Sequence, residues 1–286
     1  MNHNQNHTIS NIAALVKVTP LSVYSPTAKL DEMAEDYAVR HGVDKAQLRG
    51  AKKLLPADLF APLKSTMRSL VEFLDNNASP WEDGGWRICQ AGKILTIEDG
   101  VNERAVAYHN TRDNILRDWY YVEQEMRRKL NGDFDAKKFP TADKVREHLT
   151  ISMTWKPVPA AGDWRIDVPQ SIVDTMEQDT TKQLATQQAK VRARVIDAIS
   201  CIHKKCTEWD EGTTRIHQTT LDAVAELADV IPGLLITDDP SLVEVCKDAS
   251  RAMRGIDRDL IRDSGHARAS MAEKAAELLK KLGFAQ

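Results

Sequence analysis

The sequence has little of what usually announces a function. Net charge is almost absent: 39 Lys and Arg stand against 42 Asp and Glu, a balance of −3 over 286 residues. No overall field draws such a chain to DNA or to an anionic membrane, so any nucleic-acid affinity has to come from local sorting of charge. The four cysteines, Cys89, Cys201, Cys206 and Cys246, include no CxxC pair and suggest no disulfide framework, which fits a reducing, cytoplasmic setting. No apolar run approaches the roughly 20 residues that cross a bilayer, and the polar residues 1–8 lead into no apolar core. Neither a membrane span nor a signal peptide is expected. Aromatic residues are only 6% of the chain, so the rings in or near predicted strands, Trp81, Trp86, Trp155 and Trp164, are needed as core. Base-stacking platforms are their alternative use.

Catalytic signatures are missing as well. The chain contains no GxxxxGK[ST] loop to cradle phosphates, no GxGxxG after a strand, no HExxH and no GxSxG. Gly84-Gly85 reads as the turn into a strand. His203 and Cys206 lie three apart and could share one helix face, but zinc would need two more ligands, with His217 and Cys246 the only nearby candidates. Tyr108-His109-Asn110 could mark a histidine-based nuclease, yet a lone His beside a helical seam is more often structural. Asp163 and Asp167 flank Trp164 on one face of a predicted strand and read as a solvated edge. No catalytic residue, metal or cofactor is therefore assigned.

Against these absences stands one long uninterrupted segment. Residues 170–209 contain neither Gly nor Pro and carry Met176, Thr180, Leu184, Val191, Val195, Ile199, Ile202, Cys206 and Trp209 at steps of three, four and seven. The spacing predicts a single helix with one apolar stripe, roughly 60 Å long. A stripe that long has to be covered, and Leu184, Val191, Val195, Ile199 and Ile202 are the expected self-association seam of a homo-oligomer.

The remainder gives an α+β reading: a disordered tail at 1–8, an α+β domain at 9–168 with a small, mainly antiparallel sheet, and a helical region at 169–286. Strands are expected at 12–24, 86–90, 94–98 (a hairpin with the preceding one), 149–158 and 164–168. Helices are expected at 28–41, 44–55, after Pro62, at 101–130 and at 143–148. The 101–130 helix carries a seam of Tyr108, Arg112, Ile115, Trp119, Val122 and Met126 that one Arg interrupts. Further helices follow at 213–230, from the Asp239-Pro240 N-cap, and at 267–282.

Residues 239–262 sort their charge. Leu242, Cys246, Ala249, Met253, Ile256 and Leu260 fall on one face of a helix, and Lys247, Arg251, Arg254, Arg258 and Arg262 on the other. Arginines at helical spacing can follow a phosphate backbone or meet an acidic partner. These five are the expected nucleic-acid or partner contact, against the plainer reading of a solvated face.

The strand ending Val23-Tyr24-Ser25, then Lys52-Lys53-Leu54-Leu55-Pro56 with Leu59, then Gly84-Gly85-Trp86 and the Tyr120-Tyr121 helix come in an order that resembles an uncharacterised domain family of tailed phages and integrative conjugative elements. The resemblance spans about residues 15–168. It implies a phage or mobile-element origin, with genes for a MoxR-type or cobaltochelatase-like AAA+ ATPase and for recombination as neighbours; it carries no catalytic residues. The expected function is thus a non-enzymatic, oligomer-forming accessory protein that docks a partner such as an AAA+ ATPase. The alternative is a DNA-binding or single-strand-annealing accessory protein.

Overall fold

A computed structural model of the chain describes residues 9, 11–20, 26–29, 39–41, 51–56, 58–82, 84–159, 169–211 and 213–284. The expectations for residues 1–8, for the strand at 164–168 with Trp164, Asp163 and Asp167, and for most of the two helices at 28–55 lie outside them. Among the described residues the fold is α+β: a four-stranded sheet and a two-stranded one, with helices before, between and after their strands.

Strand β1 (Ala13–Thr19) is followed by two three-residue strands, β2 (Thr27–Lys29) and β3 (Ala51–Lys53), which pair antiparallel with each other. This corrects the expected helices only at their ends, 28–29 and 51–53, while residues 39–41 are helical as expected. The Ala and Lys there are good helix formers, but propensity is a weak prior that pairing with a distant segment overrides. Helix α1 (Ala61–Asn77) carries Pro62 in its first turn, where a missing N–H costs nothing, and buries Leu63, Met67, Leu70 and Leu74.

Strands β4 (Ser79–Pro80) and β5 (Arg87–Gln90) complete one side of the larger sheet, and β6 (Ser152–Pro157) its other edge, in the order β4-β5-β1-β6. Leu15 and Val16 are adjacent in β1, point to opposite faces and are both fully buried. The central strand is therefore covered on both sides.

The hairpin expected after Gln90 does not form. A single 3₁₀ turn, Ala91–Lys93, leads directly into helix α2 (Ile94–Arg117), and β5 pairs instead with β1, Ala13 opposite Gln90. The run Ile94–Glu98 is too short to distinguish strand from helix alone. Its phase continues through Ile97, Val101, Ala105 and Tyr108, all buried on one helix face. Gly100 sits in that helix where a Cβ would run into the ring of Phe73, so only glycine fits the close approach. The predicted helix over 101–130 is broken once, at Asp118, where helix α3 (Trp119–Leu130) starts. Helix α4 (Ala142–His148) follows, capped by the Thr141 hydroxyl on the N–H of Lys144.

After β6 come the long helix α5 (Gln170–Thr207, 38 residues), the short α6 (Gln218–Ala225) and α7 (Leu227–Val230), and the turn Ile231–Gly233. Then come α8 (Pro240–Met253), α9 (Arg258–Asp263) and α10 (Gly265–Lys281). Asp239 caps α8 by accepting from the N–H of Leu242 at 3.0 Å, as the Asp-Pro pair predicted.

The chain forms two compact units, and the division differs from a cut at residue 168. One unit is 1–17, 74–97 and 154–286; the other is 18–73 and 98–153. The sheet belongs largely with the C-terminal helices because side chains tie them together. Gln90 donates to the carbonyls of Pro232 at 3.0 Å and Leu235 at 2.8 Å, and the buried Gln187 of α5 donates to that of Leu234 at 2.8 Å. Arg194 of α5 reaches the Asp75 carbonyl and the Asn76 amide oxygen at the end of α1, each at 2.7 Å. Ile236 and Leu184 pack with Leu15, Trp81, Ile88 and Val158 against the sheet.

Candidate functional site

The apolar stripe of α5 is used inside the chain. Val191, Val195, Ile199, Ile202 and Cys206 form one core with Leu221 and Val224 of α6, Leu242, Cys246 and Ala249 of α8 and Met271, Ala275, Leu278 and Leu279 of α10. Leu184, further toward the N-terminus, is half-buried against the sheet core. The expected self-association seam is therefore corrected: the stripe is covered by the chain's own later helices and is not open to a second copy. Arg192, beside the stripe, fixes this packing from its edge, donating to the Leu282 carbonyl at 3.0 Å and meeting Asp239 at 3.4 Å.

Cys206 lies in that core, where burial pushes its thiol above the usual range, whereas Cys201 is exposed. Cys206 packs in the core while His203 lines an outer pocket with Asp197, Lys204 and Thr207, so their spacing brings no ligand set together. Among the described residues no three His, Cys, Asp or Glu side chains cluster as a metal would require. Burial likewise pushes the Cys246 thiol to about 12 and that of Cys89 to about 11, so both stay protonated and inert.

The arginine face is not one stripe. Helix α8 ends at Met253, Arg254 is extended and Gly255 has φ +78, a left-handed turn that glycine adopts without strain. The phase of the helix is reset there, so Ile261 is buried in place of the expected Leu260, which is exposed. The five predicted contact residues separate accordingly. Lys247 is exposed on α8 with no partner for its ammonium among the described residues. Arg251 pairs with Asp248, and Arg254 with Asp229 at 3.1 Å. Arg258 and Arg262 belong to α9. Arg258 lies 3.5 Å from Asp259, while Arg262 is 2.9 Å from Asp259 and grips Asp263 with two bonds of 2.7 and 3.1 Å. That grip holds the Asp263 carboxyl below its usual range.

These last two arginines open onto a cleft of about 1070 Å³, lined also by Trp209, Asp210, Glu211, Arg215, His217 and Arg268. Asp257 caps α9 by accepting from the N–H of Asp259 at 2.9 Å. Arg268 of α10 donates to the Ile261 carbonyl at 3.0 Å and to that of Arg262, and its guanidinium lies 4.7 Å from the centre of the Trp209 ring. Sequence reading found Arg258 and Arg262 by their helical spacing. It missed Arg215 and Arg268 and weighed His217 only as a zinc ligand; all three are brought near them only by the folding of α6 to α10.

In the other unit, His109 has a structural task. Its Nε2 accepts the N–H of Ile151 at 2.9 Å, which requires the neutral ring. Burial, helped by the Arg112 guanidinium, keeps its pKa below the usual value. The sign follows: above about pH 6.5 the ring is neutral whether folded or unfolded, and below it the unfolded chain takes up the proton first. Stability should thus be level above that pH and fall as the pH drops through the folded value. His109→Gln keeps an acceptor for the Ile151 N–H and removes the titration. Urea midpoints measured from neutral to mildly acid pH should fall less steeply in this variant; equal slopes would clear His109 of the effect.

Of the tryptophans near the sheet, Trp81 is buried in the core. Trp86 is half-buried with the Lys156 ammonium 4.2 Å from its ring centre, and Trp155 is half-buried on β6. Tyr120 and Tyr121 stand out instead, 66% and 71% exposed on α3 with their rings edge to face. Comparison with family models, curated proteins and solved structures gives no match, and among the described residues no helix is long and apolar enough to cross a membrane.

Proposed function

We propose that the chain is a non-enzymatic accessory protein that works by docking a protein partner. The setting is the phage or mobile element that the N-terminal resemblance implies, with an AAA+ ATPase as the partner it suggests. One observation favours this over the nucleic-acid reading. Arg251, Arg254 and Arg262 each have a carboxylate within 3.1 Å. A phosphate strand would have to displace those carboxylates and would meet their repulsion, whereas a folded surface of mixed charge can pair with both signs. Self-association belongs to the same reading only through exterior surfaces, since the α5 stripe is core.

Fluorescence anisotropy with labelled oligo-dT, repeated over a series of salt concentrations, tests the choice. A strand held by several Arg contacts gives a steep fall of log K against log salt, about 0.7 per contact. The docking reading predicts only weak association. Arg251→Gln, Arg254→Gln and Arg258→Gln together should leave it unchanged. Tight binding in the wild type, with a slope that flattens by roughly 2–3 in the triple variant, would replace docking with strand binding.

A further inference from the structure

The cleft of about 1070 Å³ between residues 209–217 and α9 is at the upper end of what ligand sites enclose. Its charges are used unequally. Arg262 is held by Asp259 and Asp263, and Arg268 by two backbone carbonyls and the face of Trp209. Those groups are fixed, and their positive charge is answered. Arg215 is exposed, and its guanidinium has no hydrogen bond or ion pair among the described residues. Among the described residues the Arg258 guanidinium has only the 3.5 Å contact with Asp259; its backbone N–H, held by the Gln218 side chain at 3.0 Å, anchors its Cα while the guanidinium keeps donors to spare.

Two under-used guanidinium groups in one cleft, beside an indole, form a receptor for carboxylates, because the planar fork matches both oxygens at once. The same walls carry Asp210, Glu211, Asp259 and Asp263. A nucleic-acid strand brings a charge at every nucleotide and would meet all four. A peptide brings carboxylates singly, spaced by neutral residues. The walls are already braced by internal pairs, so less order is lost when a ligand arrives.

We infer that this cleft takes an acidic peptide segment of the docked partner, its carboxylates on Arg215 and Arg258 and an apolar side chain against Trp209. This rests on the docking reading and names the part of the partner that is held. The test uses the full chain and three fluorescein-labelled probes at about 100 mM salt: an alternating Glu-Gly peptide, its Lys-Gly counterpart and oligo-dT. The Glu-Gly peptide should bind saturably and weaken at least about tenfold in Arg215→Glu/Arg258→Glu. Both changes lie on exposed side chains, so the melting temperature should hold within about 3 °C. The Lys-Gly peptide should not bind the wild type. No saturable Glu-Gly binding up to about 1 mM, or binding that survives the double charge reversal, overturns the assignment of the cleft while leaving docking elsewhere intact. Tight oligo-dT binding lost in the same variant overturns the docking reading itself.

Discussion

Val195→Asp should leave little folded protein. Val195 is fully buried in the core that α5 makes with α6, α8 and α10. An aspartate there would have no partner, at a cost of several kcal/mol, comparable with the whole stability of a typical domain. Ile199→Ala is the gentler form of the experiment. Ile199 is equally buried, and the lost methylenes with the cavity left behind should cost about 3 kcal/mol. Leu184→Asp should cost less, since Leu184 is only half-buried at the rim of the sheet core. The comparison separates core from interface. In a core, Ile199→Ala lowers the urea midpoint by the same amount at every protein concentration and leaves the mass unchanged. In an interface, its effect would vanish on dilution and the mass would change.

The second large effect is expected at Arg112, the one cation in the seam of α2 and α3. The structure shows why it is tolerated there. Its Nε and Nη2 hold both oxygens of Asp113 at 2.9 and 3.1 Å, and its Nη1 reaches the Thr150 hydroxyl at 3.0 Å and the Leu149 carbonyl at 3.4 Å. The Arg112 hydrogen bond keeps the Asp113 carboxyl below its usual range, and Arg146 adds to this. Arg112→Ala strands the Leu149 carbonyl and opens a cavity, while Asp113, half-exposed, can return to water. The expected loss is about 2–3 kcal/mol rather than the larger figure for a fully buried pair. Arg112→Lys should recover little, since an ammonium cannot span the same four acceptors. Tyr108→Phe is the control. The Tyr108 hydroxyl is buried with no hydrogen-bond partner among the described residues, so its removal should cost nothing or stabilise. Urea titrations of the three variants check the order; a neutral Arg112→Ala would mean that this network does not hold α2 to the segment at 149–150.

Much of the helical architecture was legible because its signals are local. Pro62 sits in the first turn of α1, Asp239-Pro240 opens α8, and the seam from Tyr108 to Met126 is buried at every position but the half-buried Ile115. The failures share a cause. Five apolar-rich residues at 94–98 carry no period of their own, and what decided for helix was the continuation through Val101 and Tyr108. The strands at 27–29 and 51–53 exist only through each other, across a separation that no local preference records. Gly255 ended α8 where an unbroken apolar phase had suggested continuity.

The candidate site divides along the same line. Spacing located Arg258 and Arg262 but not their company, because Trp209, Arg215 and Arg268 reach the cleft through the packing of separate helices. Nor did periodicity say what covers a stripe. The spacing from Val191 to Ile202 states that one face is buried and is silent on whether the cover is a second chain or the residues that follow. The later helices provided it, with Leu242, Cys246 and Ala249 facing the same core.

The central claim is that this stripe is spent within the chain, so that any partner meets the charged exterior. Amide hydrogen exchange along α5, measured at two protein concentrations about 100-fold apart, tests it most directly. The account predicts that the amides from Val191 to Ile202 are among the most protected of the chain and exchange equally slowly at both concentrations. Protection there that weakens on dilution would show the stripe to be an interface between chains and would contradict the account.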